Sequence, residues 1–143
     1  WGKIQLSLRS GAMQIDLQKG KTTQAKLQEL QQLASAAPED ILSITQSTHE
    51  ITVISQEKYE EKMLHALKGE RMLNVEKNLS LLVLRFGGDV LYQPGFFDRI
   101  LRELAWENIN IYEVVSTLTE LIIVLKEDEA AKAYEVLRRS LKK

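Results

Sequence analysis

The segment from residue 87 to residue 95 combines residue types that could hold a small charged molecule. Pro94 has a fixed φ, and Gly95 lets the backbone come close to whatever lies at the start of the following helix. The first N–H groups of a helix have no partner inside it and lie at the positive end of its dipole, which favours a carboxylate. Asp89 could pair with an ammonium group, and Asn110 offers both a donor and an acceptor. The same pattern is typical of a solvated turn followed by an exposed strand, so both interpretations stay open.

The rest of the sequence contains no supported catalytic or metal-binding pattern. It has no cysteine, which excludes disulfides, thiol nucleophiles and cysteine-type zinc sites. His49 and His65 lie on different predicted elements, and no carboxylate stands beside them at the spacing of metal ligands. No nucleophile motif is present. We therefore expect no enzymatic activity, no metal and no cofactor.

Composition narrows the class of protein. The chain has 143 residues, of which 44% are hydrophobic and 27% charged, as in ordinary globular proteins. Its net charge of −1 argues against nucleic-acid binding, which needs a clustered positive field. The longest apolar run, Leu121 to Leu125, is too short to span a membrane, and no signal peptide is visible. We expect a cytoplasmic protein, and the start at Trp1 without Met suggests a processed or trimmed piece of a longer polypeptide.

Hydrophobic spacing predicts strands, a helix, a hairpin and a second helix in the first half of the chain. Two short strands, Ile4 to Leu8 and Met13 to Leu17, are separated by a turn at Ser10 and Gly11. The first helix has an apolar stripe of Leu27, Leu30, Leu33, Ala34 and Ala37, and Pro38 marks its end. The hairpin strands are Ile41 to Thr45 and Ile51 to Ser55, and the second helix runs from Glu57 to about Lys68.

The second half of the chain repeats this series. The predicted elements are a strand from Leu79 to Phe86, a helix with the stripe Phe97, Ile100, Leu101 and Leu104, hairpin strands Ile109 to Val115 and Leu121 to Leu125, and a closing helix from Ala130 to Leu141. A shift of 67 residues carries Leu33 onto Ile100 and Ile44 onto Ile111, whereas past the hairpin turn a shift of 70 carries Val53 onto Ile123. The sequence therefore predicts a duplication, with a second hairpin about three residues longer than the first.

A strand, helix, hairpin and helix followed by one more strand is the ferredoxin-like βαββαβ arrangement. We predict an α+β protein with two such units, residues 1–75 and 76–143, and with helices on one face of antiparallel sheets. The second unit reaches the end of the chain without a final strand, while the N-terminus has one strand too many. We expect an N-terminal strand, Ile4 to Leu8 or Met13 to Leu17, to fill that position. The alternatives are that the missing strand was trimmed or comes from a partner chain.

The last 65 or so residues resemble an ACT domain, most of all the regulatory ACT domains of aspartokinases. The resemblance is carried by an ordered set of motifs: Pro94-Gly95, Leu104 near a helix end, Asn108-Ile109-Asn110-Ile111, Ser116-Thr117 and the Ala- and Leu-rich helix from Ala130 to Leu141. The first unit lacks the Pro-Gly pair and matches less well. The resemblance implies a tandem ACT protein whose units trade strands.

The resemblance also implies a function. Such domains bind an amino acid or a similar small metabolite, usually at interfaces between paired ACT units, and regulate an enzyme of amino-acid metabolism. Carried over to this sequence, the residues that line the pocket are Asp89, Gln93, Pro94, Gly95, Phe96, Asn110 and Ile111. The implied partners are the amino acid, a second copy of the chain in a homodimer or higher oligomer, and a metabolic enzyme. In the first unit the matching positions are Ser43 and the basic Lys19-Gly20-Lys21 loop, where binding is less expected.

A ligand-free function is the alternative. Phe96, Phe97 and Tyr92 are bulky enough to fill the loop, and Trp106 could join Tyr112 and Phe96 in an apolar patch that pairs units between chains. The chain would then be an ACT-like module for protein interaction or oligomerisation.

Overall fold

The computed structural model describes residues 3–35 and 39–142, which form six strands and four helices. The strands are β1 (Gln5–Gln18), β2 (Leu42–Gln46), β3 (Glu50–Gln56), β4 (Met72–Arg85), β5 (Glu113–Ser116) and β6 (Glu120–Lys126). The helices are α1 (Thr23–Ser35), α2 (Glu60–Ala66), α3 (Phe96–Trp106) and α4 (Glu127–Leu141). Short 3-10 turns occupy Glu57–Tyr59 and Val90–Tyr92. The predicted stripe residue Ala37 and the helix end at Pro38 lie outside the described residues.

Residues 11–78 form one compact unit, here called the first unit. Its strands are hydrogen-bonded in the order β2-β3-β1-β4, with β1 and β2 both antiparallel to β3. The Gln18 N–H donates to the Arg71 carbonyl over 2.9 Å where β1 meets the segment that leads into β4. Together with α1 and α2 this is a complete βαββαβ unit. Its core contains Met13, Ile15, Leu17, Leu27, Leu30, Ile51, Val53, Met63, Ala66 and Leu67.

Residues from Leu79 onward form the second unit together with the chain up to Ser10. Its strands follow the order β1-β4-β6-β5, and β6 is antiparallel to both β4 and β5. Ile4 and Leu6 pack against its core, whose members are Leu82, Leu84, Phe86, Val90, Phe96, Ile100, Leu104, Ile109, Leu121, Ile123, Leu125, Ala130, Ala133, Val136 and Leu137. The N-terminal segment up to Ser10 thus belongs to this unit, and it contains the earlier of the two candidate strands.

The prediction of two separate N-terminal strands was wrong, because β1 runs unbroken from Gln5 to Gln18. Gly11 lies inside it with φ +71°, a conformation that a glycine in a strand adopts without steric cost. The apolar positions change from even to odd residue numbers across Gly11, as the sequence pattern shows. The sequence predicted a turn at Gly11. In the structure Gly11 instead marks the point where β1 passes from the second unit to the first.

The two units share one hairpin geometry, which supports duplication but corrects its details. Ile44 faces Val53 in the first hairpin and Val114 faces Ile123 in the second, so both strands match at a shift of 70 residues. The predicted longer second hairpin was therefore wrong. By contrast, Leu17 faces Ile51 and Leu84 faces Leu121, so the first strands match at a shift of 67. The three extra residues lie between β4 and β5, in the segment that contains the candidate loop and α3.

The end of α3 explains why β5 begins later than predicted. Asn108 has φ +62°, and its N–H donates to the Ala105 carbonyl over 2.9 Å. The Ile109 N–H donates to the Leu104 carbonyl over 3.0 Å, and both side chains are buried in the same core. These two hydrogen bonds and the apolar contact form a Schellman cap. The Asn108-Ile109 pair, predicted as the start of a strand, ends the helix instead.

Candidate functional site

The candidate site lies at the start of α3 in the second unit. Gly95 precedes the helix with φ +84°, and its carbonyl accepts the Arg99 N–H over 2.9 Å, which is the first bond of the helix. Gly95 has no side chain that could cap this end of the helix. The N–H groups of Phe97 and Asp98 have no partner inside the helix, because a helix leaves its first donors unpaired. The start of α3 therefore presents N–H donors at the positive end of the helix dipole.

The loop before Gly95 has its own internal structure. The Val90 N–H donates to the Gly87 carbonyl over 3.1 Å and the Gln93 N–H donates to the Val90 carbonyl over 3.0 Å. Val90 is buried in the core of the second unit, so the loop is anchored at its centre. Gln93 is half-buried, and Pro94 and Gly95 are exposed. The loop thus holds the approach to α3 in a defined conformation while its last residues face solvent.

Asp89 supplies the acidic group of the loop. It is exposed, and a Cβ atom placed on Gly87 would lie only 2.8 Å from its Oδ1 atom. The carboxylate therefore lies directly over the Gly87 backbone, where a larger residue would force it to move. Among the residues that the structure describes, no hydrogen bond or ion pair occupies the Asp89 carboxylate.

Phe96 lies in a different environment from the other candidate residues. It is 2% exposed, belongs to the core of the second unit, and meets the Phe86 ring edge to face with 5.1 Å between ring centroids. Phe97, in contrast, is 39% exposed. The predicted helix stripe was therefore wrong at this position: the buried residues are Phe96, Ile100 and Leu104, four residues apart. Burial of Phe96 also removes it from the proposed apolar patch around Trp106.

Asn110 and Ile111 follow the cap of α3. The Asn110 side chain is exposed, and its backbone N–H donates to the Glu129 Oε2 atom over 3.2 Å. Ile111 is half-buried and packs against the same core as Phe96. Sequence reasoning missed Glu129, which lies in the first turn of α4. The signal that could have found it is the acidic cluster at that helix start.

The first-unit candidates have a different setting. Ser43 is half-buried in β2 opposite Ile54. The Lys19 ammonium donates to the Ser47 carbonyl over 3.4 Å, and its backbone N–H donates to the His49 carbonyl over 2.8 Å. The loop of residues 19–22 is therefore tied to the hairpin of its own unit.

Two grooves lie elsewhere in the second unit. One of about 450 Å³ is lined by Glu103, Glu107, Val136, Arg138, Arg139, Ser140 and Lys142 at the ends of α3 and α4. Another of about 440 Å³ is lined by Lys3, Gln5, Arg85, Phe86 and Thr119. Neither contains Asp89, Gly95 or Asn110. The described residues contain no group of three or more His, Asp or Glu side chains that could hold a metal ion. Within the same ranges, no helix is long and apolar enough to cross a membrane.

Comparison with known proteins gives matches of fold. No family model matches the sequence, and no curated protein matches it. The ligand-free regulatory subunit of aspartate kinase from Thermus thermophilus matches with a TM-score of 0.75 at 14% identity, over 94% of each chain.

A second match is the aspartokinase III of E. coli, at 17% identity. Its complex with aspartate and ADP (R-state) gives a TM-score of 0.73, and its complex with lysine and aspartate (T-state) gives 0.68. In both, the match covers 96% of this chain and 33% of the kinase chain. The chain therefore has the fold of the regulatory part of aspartate kinases, as the sequence resemblance predicted.

Proposed function

We propose that this chain is a non-catalytic regulatory module that binds an amino acid or a similar small metabolite. The observation that carries the proposal is the match to a regulatory subunit of aspartate kinase over 94% of both chains. A related kinase of the same fold has been solved with lysine and aspartate, which makes an amino acid the first class of ligand to test.

The start of α3 supports a specific way of binding. A ligand carboxylate would accept hydrogen bonds from the Phe97 and Asp98 N–H groups in the first turn of α3, where Gly95 has no side chain that could cap the helix. The Asp89 carboxylate would attract the ligand ammonium, and the Asn110 amide would orient the ligand. Gln93, Pro94 and Ile111 would shape the site, and the buried ring of Phe96 would support it from the core of the second unit. We infer that a second copy of the chain completes the site, in keeping with the paired units that the ACT resemblance implies.

Regulation requires that the ligand bind one conformation better than another, because equal affinity shifts no equilibrium. In this proposal the ligand favours one packing of paired copies, and a metabolic enzyme reads that packing. The enzyme would belong to amino-acid metabolism, as the aspartate kinases do.

A thermal-shift screen of the twenty common amino acids tests the proposal. We expect at least one of them to raise the melting midpoint, since a ligand that binds only the folded state stabilises it. Asp89→Asn should abolish that rise and leave the midpoint without ligand unchanged. Asp128→Asn is the matched control, because Asp128 is an exposed acidic residue of the same unit in the first turn of α4. A screen without any rise, or a rise that Asp89→Asn leaves intact, would contradict the proposal.

A second function, oligomerisation without ligand, is favoured by the exposed apolar side chains of the second unit. Trp106 is 85% exposed, Tyr92 80% and Leu118 58%. Large exposed aromatic residues are enriched at protein interfaces. If this function holds, analytical ultracentrifugation should find a stable oligomer without amino acids, and Trp106→Ala should dissociate it. An oligomer that resists Trp106→Ala would count against this alternative.

A further inference from the structure

The first unit holds a carboxylate of its own at the start of its first helix. The Glu70 side chain is only 5% exposed, although Glu70 lies in the loop between α2 and β4. Its Oε2 atom accepts the Thr22 hydroxyl over 2.6 Å and its Oε1 atom accepts the Thr23 hydroxyl over 2.5 Å. The Lys26 ammonium donates to Oε2 over 2.9 Å. Three donors from one helical turn therefore surround a single carboxylate.

The donors around Glu70 are themselves held in place. The Thr23 Oγ1 atom accepts the Gly20 N–H over 2.8 Å, and Thr23 is completely buried. The Lys26 ammonium also donates to the Lys68 carbonyl over 2.5 Å, at the end of α2. The hydrogen bonds that Glu70 accepts lower its pKa to about 2, and the bond from the Thr22 hydroxyl is the largest cause. The group is therefore a carboxylate at neutral pH. This cluster has the composition of a built anion site, with two hydroxyl groups and one cation.

The second unit has the same helix but lacks the acidic group. Counting from the first residue of each helix, Lys26 corresponds to Arg99, and Thr22 corresponds to Gly95. The Arg99 Nη2 atom donates to the Ser140 carbonyl over 2.8 Å at the end of α4, much as Lys26 does at the end of α2. At the shift of 70 residues that matches the two hairpins, Glu70 corresponds to Ser140, which has no carboxylate. The carboxylate is thus a feature of the first unit only.

We propose that Thr22, Thr23 and Lys26 form a carboxylate-binding site that Glu70 fills from within, so that the chain has one ligand site instead of two. The statement that the chain has one ligand site rests on the proposed function, whereas the statement about the Glu70 cluster does not. In this proposal Glu70 supplies, beside the start of α1, the carboxylate that a ligand would supply at the start of α3. A duplicated module has in this way kept one site open and closed the other with its own side chain.

Chemical rescue with sodium acetate tests the site at pH 7. Glu70→Ala removes the carboxylate and leaves its donors, so acetate should raise the melting midpoint of this variant by about 2–4 °C over sodium chloride at equal concentration. The wild-type protein and the control Glu61→Ala, an exposed glutamate of α2, should show no such difference. Adding Thr23→Val to Glu70→Ala should remove the rescue. Equal responses of Glu70→Ala and Glu61→Ala would overturn the proposal.

The wild-type protein gives a second measurement that needs no variant to fold. In amide NMR spectra at pH 7, sodium acetate should leave the N–H signals of Gly20 and Thr23 unshifted, because Glu70 already occupies their neighbourhood. Acetate-dependent shifts of those two signals would show an open site and contradict the proposal. Neither measurement involves Asp89 or the loop before α3. Failure of the amino-acid screen and failure of the Glu70 proposal are therefore distinguishable.

Discussion

The two units have the same topology and the same hairpin, yet their first loops differ. In the hairpin turns the Ser47 N–H donates to the Glu50 carbonyl and the Thr117 N–H donates to the Glu120 carbonyl, both over 2.9 Å. Before the first helix the agreement ends: residues 19–22 connect β1 to α1, whereas residues 86–95 connect β4 to α3. The difference teaches that the duplicated scaffold has changed least where strands pair and most where a helix start faces solvent.

The two units also differ in the side chains that lie at the start of the first helix. In the first unit the hydroxyl groups of Thr22 and Thr23 and the Lys26 ammonium are all directed at Glu70. In the second unit no side chain caps α3, and Gly95 keeps the backbone exposed. The side-chain donors at the start of α1 are paired within their own unit. We therefore expect an external ligand at the start of α3 and not at the start of α1.

The largest expected effect is on stability, and it distinguishes a core residue of the second unit from its exposed neighbour at the candidate site. Phe96→Ala should lower the free energy of unfolding by about 3–5 kcal/mol, because it removes a fully buried ring. Phe97→Ala, the matched control next to it, should cost about 1 kcal/mol, because Phe97 is partly exposed. Urea unfolding followed by circular dichroism measures both. A larger loss for Phe97→Ala would show that Phe96 faces the site and not the core.

The second effect concerns Glu70 and pH. Glu70→Gln should cost about 1–3 kcal/mol at pH 7, because it removes a charged acceptor from buried donors. The folded pKa of about 2 lies below the ordinary glutamate value of 4.5, so the stabilisation is fully present above pH 4.5 and is lost as the pH falls toward 2. The difference between wild type and variant should therefore shrink between pH 4.5 and 2 in urea unfolding. Glu61→Gln should show no such pH dependence, and a constant Glu70 difference would refute this explanation.

The third and smallest effect compares the glycines of the two loops. Gly95→Ala should cost roughly 1–2 kcal/mol, since φ +84° places a Cβ atom in an unfavourable backbone conformation. Gly20→Ala should change stability by less than about 0.5 kcal/mol, because its Cβ atom would meet Thr23 Oγ1 at an ordinary distance of 3.5 Å. Thermal denaturation of the two variants measures the difference. Equal costs would indicate that the loops are under the same backbone constraint.

Much of the fold could be predicted from the sequence, because strand and helix periodicities recur in both halves. The exchange of the N-terminal strand followed from counting strands alone. Gly11 was misread as a turn because positive φ in a strand and in a turn has the same sequence signature. Asn108-Ile109 was misread as a strand because the cap of α3 depends on Ile109 reaching the core.

The candidate site was harder to predict than the fold. The residues of the second loop could be proposed from the Pro-Gly pair and the ACT resemblance, but which phenylalanine is buried depends on the exact start of α3. The Glu70 cluster was not foreseen, since Glu70 and Thr23 are distant in the sequence and only the folded unit brings them together. The apolar residues of the helices and strands recur at a regular spacing, which can be recognised in the sequence. A single contact between side chains that are distant in the sequence produces no such pattern.

Amide NMR of the wild-type protein, titrated with each of the twenty amino acids, tests the central claim most directly. We expect one of them to shift the N–H signals of Asp89, Gly95, Phe96 and Asn110 at saturation, with one molecule bound per chain and with Gly20 and Thr23 unchanged. The claim would be contradicted if no amino acid shifted the signals of the second loop, or if the shifts appeared at the first loop instead.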